Sequence, residues 1–205
     1  LNNTKNKTYR IAILGILTAI IFIQSFVPML GYIPIPPLNP TIIHITVIIA
    51  ALSLGTKEGV ILGGVWGLTR WAKVFLMPGP LDPIIFINPI ITILPRILVG
   101  FIAGYAFYLL RRKLKESSAM VIASVLASLT NTILVLFFIY IFNGADYAAA
   151  MKVDVSGLLK VLGTVVLTNG LAEALAAGII APIVARTLKK LFTNFYLSGK
   201  NQQLL

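Results

Sequence analysis

This chain is a succession of apolar runs divided by short basic or proline-rich connections. Runs near residues 9–30, 58–76, 89–111, 118–142 and 157–186 are about as long as the roughly 20 residues a helix needs to cross hydrocarbon. In a bilayer every backbone N–H and C=O must be satisfied internally, so only helices and closed barrels span it. A barrel needs segments of about 10 residues that alternate in polarity, and these runs do not alternate. Charged residues make up only 11% of the chain and mean hydropathy is +0.95, far from the roughly 25% charge of soluble domains. The expected fold class is an all-α integral membrane protein.

A further run, TIIHITVIIAALSLG at 41–55, has 15 residues, about 22 Å as a helix. It must tilt, thin the bilayer or begin inside it. Counting it gives six transmembrane helices in one domain over 1–205, with TKEG (56–59) as the turn that follows it. The basic residues test this arrangement. Lys5, Lys7, Arg10, Lys57, Arg111, Arg112, Lys113, Lys115, Arg186, Lys189, Lys190 and Lys200 all fall on one side of a six-span chain. By the positive-inside rule that side, with both N- and C-termini, is cytoplasmic. The connections 31–40 and 77–89, rich in proline, and the polar segment 143–156 are then external. The first run is long and lacks a small-residue cleavage site before Gly31, so it reads as a span and not a cleaved signal.

Polar residues inside spans are costly and by default face the bundle interior. Arg96 stands out, because no other charged residue lies between Asp82 and Arg111. Placed by depth, Trp66, Arg70, Arg96, Asn131 and Asn169 share the external half of the bundle, with His44 and Asn88 near its outer edge. Arg70 and Lys73 also suit snorkelling beside Trp66 and Trp71. Asn131 and Asn169 suit plain interhelical hydrogen bonds, and His44 suits neutral packing. Glu173 is the intramembrane counter-ion available to Arg96, and the two either neutralise each other or serve a ligand. Arg70 and Arg96 against Glu173 leave one positive charge in surplus, which fits a small anion. Arginine grips a carboxylate through two parallel hydrogen bonds. The asparagines would serve hydroxyl or amide groups, and Trp66 and Trp71 would cover apolar parts.

Other chemistries lack their residues. The sequence has no GxxxxGK[ST], so it carries no P-loop for ATP. It has no cysteine and one histidine, which removes thiolate chemistry and metal-ligand clusters. Its net charge of +11 is topogenic in distribution and not a nucleic-acid surface. An enzyme is not expected, nor is a cofactor. A stand-alone secondary transporter would need coupling charges along a path, and only Arg96 and Glu173 lie near mid-membrane. A structural subunit would leave the outer polar layer unexplained.

LGILTAIIF in the first span, PTIIHITVIIAALSLGTKEGVILGGVWGLT, and LPRILVG resemble the substrate-binding S components of energy-coupling factor (ECF) vitamin transporters, in particular the pantothenate-type branch. Thr46 stands where that branch often has proline. The resemblance covers nearly the whole chain. It implies a vitamin-binding subunit in the plasma membrane of a bacterium, with pantothenate as the favoured ligand and riboflavin, pyridoxine or hydroxymethylpyrimidine precursors, and folate as alternatives. It implies a lid built from 31–40 and 77–89, and the carboxylate of pantothenate agrees with Arg96 as its anchor. It further implies a transmembrane coupling subunit and two ATPase subunits as partners, with Ala12, Gly15 and Ala19 as the close-packing face toward the coupling subunit.

Overall fold

A computed structural model describes residues 2–33 and 40–201; most of the 31–40 connection therefore lies outside the described residues. The described chain is helical, without strands. Four stretches are long and apolar enough to cross a membrane: Lys7–Phe26, Pro89–Leu110, Glu116–Ala150 and Val155–Leu191. The elements are α1 (Asn2–Phe26), α2 (Ile43–Ser53), α3 (Thr56–Leu76), α4 (Asp82–Ile85), α5 (Pro89–Thr92), α6 (Leu94–Leu110), α7 (Glu116–Ala150), α8 (Val155–Val165) and α9 (Leu171–Asn201), with a π-helical turn Val166–Gly170 between the last two.

The 41–55 run forms an 11-residue helix, about 16 Å long. Residues Ile43 to Leu52 of α2 are all buried. A helix apolar on every side is a core helix, and α1, α3, α6, α7 and α9 pack around this one. The turn after it falls at Leu54–Gly55 and not at TKEG, since α3 begins at Thr56. Gly55 has φ +125°, which a side chain would strain. Arg10 closes this end of the bundle by donating to Leu54 O at 2.7 Å and to Glu58 at 2.5 Å. Lys189 of α9 pairs with Glu116 of α7 at 2.7 Å, and Tyr9, Arg10, Leu54 and Lys189 line one shallow groove. The basic segments thus gather at a single end, as their spacing requires.

α3 and α6 meet backbone to backbone. Gly59, Gly63 and Gly67 recur every fourth residue on α3, opposite Gly100 and Gly104 on α6. A Cβ on Gly63 would strike the Arg96 carbonyl, one on Gly100 the Gly59 carbonyl, and one on Gly67 the Ile93 Cα at 2.8 Å. Small residues let helices approach this closely, and the seam holds the start of α6 against the middle of α3.

Two expected spans differ in detail. The run from 89 is broken into α5 and α6. Pro95 sits in the first turn of α6, where its missing N–H costs nothing, so it starts a helix and does not bend one. α7 has 35 residues but bends at Asn143, with φ −135° and ψ 20°. The bend falls where the sequence turns polar, just after residue 142.

Candidate functional site

At the end of the bundle opposite the basic groove, α1 and α3 finish and α2 and α6 begin. A cavity of about 690 Å³ opens there, within the roughly 300–1,000 Å³ of small-molecule sites. Its lining includes Tyr32, Thr41, Arg70, Lys73, Asp82, Phe86, Arg96, Asn131, Thr132, Asn169 and Glu173, with Met77–Leu81 forming part of the rim.

Arg96 lies in the first turn of α6 and is 4% exposed. Its Nη1 donates to Ile91 O at 2.7 Å, a carbonyl of the short α5 one turn before it. Its Nε is buried without a partner among the described residues. The guanidinium carbon is 5.2 Å from the Trp66 ring centre and 5.5 Å from that of Phe86. A cation in the first helical turn opposes the helix dipole, so this placement works against stability and raises the positive potential of the cavity. Arg70 is also buried, but it is taken: both its terminal nitrogens bond the Asp82 carboxylate, one of them at 2.9 Å, and Phe86 lies 4.3 Å beneath it. Asp82 also accepts from Gly79 N–H at 2.9 Å. Burial pushes the Asp82 carboxyl up, but the Arg70 hydrogen bonds and charge, with the Gly79 N–H, outweigh it and hold the group below its ordinary value. Lys73 reaches the Ser25 carbonyl at the end of α1 at 2.7 Å and lies 5.0 Å from the Tyr32 ring centre. A lysine on the last carbonyls of a helix is favourable to its dipole.

Glu173 opens the α9 side of the cavity. Its Oε1 accepts from the Thr41 N–H at 2.6 Å and its Oε2 from the Thr132 hydroxyl at 3.1 Å. No ion pair joins it to Arg96 among the described residues, so mutual neutralisation by direct contact is not what the fold builds. The carboxylate sits beside the N-terminus of α2, whose dipole favours negative charge. The base of the preceding connection is fastened there too: Thr41 Oγ1 and Ile42 N–H both donate to Gly31 O, at 2.9 and 3.0 Å. Asn169 lies in the π turn directly before α9, and Asn131 on α7 is 5% exposed with its side-chain oxygen unpartnered among the described residues. π turns occur frequently at functional sites.

Of the expected residues, the fold brings Arg70, Arg96, Asn131, Asn169 and Glu173 into one lining. Three fall outside it. Trp66 is fully buried behind Arg96, its indole N–H 3.4 Å from the Tyr32 hydroxyl. His44 is fully buried on α2, 3.1 Å from Ser128 Oγ, because α2 is enclosed on all sides. Asn88 caps α5 through the Ile90 N–H at 2.9 Å. Trp71 bonds Ile87 O at 2.9 Å, so the aromatic lining comes instead from Tyr32 and Phe86. Asp82 was not expected at the site, although acid among the prolines of MPGPLDP was the available signal. Arg70, Lys73 and Arg96 face Asp82 and Glu173, so one positive charge remains in surplus. Among the described residues no group of histidine, cysteine or carboxylate side chains suits a metal ion.

Residues 9–185 match the family model described as "ECF transporter, substrate-specific component". The chain is 43% identical over 108 residues to the pantothenate transporter PanT of Leuconostoc mesenteroides subsp. mesenteroides, an overlap covering 51% of this chain and 53% of that relative. It is 31% identical over 204 residues to the pantothenic acid transporter PanT of Lactococcus lactis subsp. cremoris, covering 93% of this chain and 98% of that protein.

Proposed function

The chain belongs to the substrate-specific components of ECF transporters, and from that premise we propose that it is the high-affinity pantothenate-binding subunit of an ATP-driven importer. The chain passes through the plasma membrane six times, one pass being made by the short enclosed α2 and the connection before it; both termini are cytoplasmic, and the cavity faces outside. The observation that carries the ligand is Arg96: a buried guanidinium whose terminal nitrogens meet, among the described residues, a single protein carbonyl, at the wall of a cavity of about 690 Å³. Arg70 already holds a carboxylate, so the ligand's carboxylate goes to Arg96. Asn131 and Asn169 offer donors and acceptors to the amide, and Tyr32 and Phe86 cover the apolar carbons. The relatives' printed names support the same vitamin.

Without a P-loop in this sequence, ATP hydrolysis falls to two partner ATPases, and a transmembrane coupling subunit docks on α1. Ala12, Gly15 and Ala19 lie exposed on one flank of that helix, and nothing comes within 4 Å of a Cβ placed on Gly15. This small-residue face is free to accept another helix closely.

Calorimetry of the purified chain against pantothenate, riboflavin, pyridoxine, folate and thiamine tests the reading. Pantothenate is expected to bind at least about 100-fold more tightly than the others, a gap of about 2.7 kcal/mol. Preference for another vitamin would move the ligand and keep the subunit class. Binding of none would overturn the vitamin reading.

A further inference from the structure

Arg96 accounts for one end of the ligand and leaves open what recognises the other. Pantothenate carries two hydroxyls at the end remote from its carboxylate, and hydroxyl protons need acceptors. The arginines and Lys73 accept nothing. Asp82 is occupied by both Arg70 nitrogens and the Gly79 N–H. Glu173 is the other carboxylate of the lining. An ionised carboxylate offers about four lone-pair sites. Among the described residues Glu173 uses two, toward the Thr41 N–H and the Thr132 hydroxyl, while its side chain remains half-buried. Those two bonds, made from different elements, fix its orientation before a ligand arrives.

We propose that Glu173 is the specificity-determining acceptor for the ligand's hydroxyl end, and that its charge excludes ligands carrying a second anion there. This rests on the pantothenate reading. A hydroxyl meeting a fixed carboxylate makes a charge-assisted hydrogen bond. A phosphate ester on the same oxygen meets repulsion in a low-dielectric wall, which is selectivity against a competitor as well as for the ligand. The site therefore distinguishes the free alcohol from its phosphorylated form. The rival role for Glu173 is structural, tying α9 to α7 and to the residue before α2.

The experiment is a cycle of protein and ligand changes read by calorimetry. The ligands are pantothenate, its analogue without hydroxyls, N-(3,3-dimethylbutanoyl)-β-alanine, and pantothenate phosphorylated on its terminal hydroxyl. The intact chain is expected to bind pantothenate at least about 30-fold more tightly than the hydroxyl-free analogue, the range of a hydrogen bond to a charged group. Glu173→Gln is expected to shrink that ratio at least about fivefold and to bind the phosphate ester better than the intact chain does. Glu173→Asp, which withdraws the carboxylate but keeps its charge, is expected to weaken pantothenate and leave the hydroxyl-free analogue unchanged, and it serves if the glutamine variant does not fold. Equal weakening of both ligands in either variant would overturn the inference and leave the vitamin assignment standing. Failure of the intact chain to bind pantothenate at all would overturn the assignment, and the inference with it.

Discussion

The two buried arginines divide the work by what already holds them. Arg70 has a carboxylate, a phenyl face and a tyrosine ring around it. Among the described residues Arg96 has a carbonyl and two ring faces but no anion in contact. Arg96→Ala is expected to weaken pantothenate about 100-fold or more, since charge-assisted bonds contribute about 1.5–3 kcal/mol each. Arg96→Lys should recover little of it, because an ammonium cannot reproduce the two-point grip; titration calorimetry reads both. Asp82 adds a pH dependence with a definite sign. Its carboxyl is held below the ordinary value in the folded protein, so the Arg70 link is complete above the ordinary aspartate range, near pH 3.9. It is lost as pH falls through the lowered value. Amide exchange of residues 77–89 should stay protected from pH 7 to about 5 and rise only in stronger acid, whereas Asp82→Asn should expose the segment throughout. Arg96 was legible from sequence because a lone cation in an apolar run has few bland explanations. The Arg70–Asp82 link was not, since it depends on a proline-bounded loop folding back over 12 residues.

At the scale of elements, the site depends on how closely α3 and α6 approach. Gly63→Ala and Gly100→Ala each push a methyl into a facing backbone carbonyl. Each is expected to cost about 1–3 kcal/mol, read as a lower melting temperature in detergent, and Gly63→Ala should also weaken binding because the carbonyl it displaces belongs to Arg96. Gly15→Leu projects into open space. It should leave melting temperature and vitamin affinity unchanged while reducing co-purification with a coupling subunit; an unchanged yield of complex would count against docking through α1. The sequence marked residue 142 as the end of an apolar run, since FNGADY follows, but not that the helix bends at Asn143 and continues to Ala150. It hid the α5–α6 break, because a proline inside an apolar run fits a bent helix and a new first turn equally well. The π turn carries no such composition signal.

The all-helical class was the most legible part of the whole molecule, because long apolar runs with so few charges leave little else for the chain to form. Depth alone cannot tell inward-facing from cavity-facing: it grouped His44 and Trp66 with Arg96 and Asn131, whereas both are buried and outside the cavity lining. The chain has no cysteine, so single cysteines can be introduced one at a time for labelling. Cysteines at residues 5 and 113 should react only from the cytoplasmic face of sealed cells and one at residue 79 only from outside. In vesicles holding this chain alone, pantothenate should bind without accumulating under an ion gradient. Accumulation would instead favour a self-contained transporter.

The length of α2 has a consequence for where a ligand can fit at all. Eleven residues reach about 16 Å of a hydrocarbon layer about 30 Å thick. Because its neighbours screen it from lipid, the bilayer does not set its length, and the unfilled height above Ile43 is where Pro40, Thr41 and Glu173 meet the cavity. Capacity for cargo is thus set by a terminus: each further turn on α2 would take about 5.4 Å of headroom from the compartment, even if every lining side chain stayed the same.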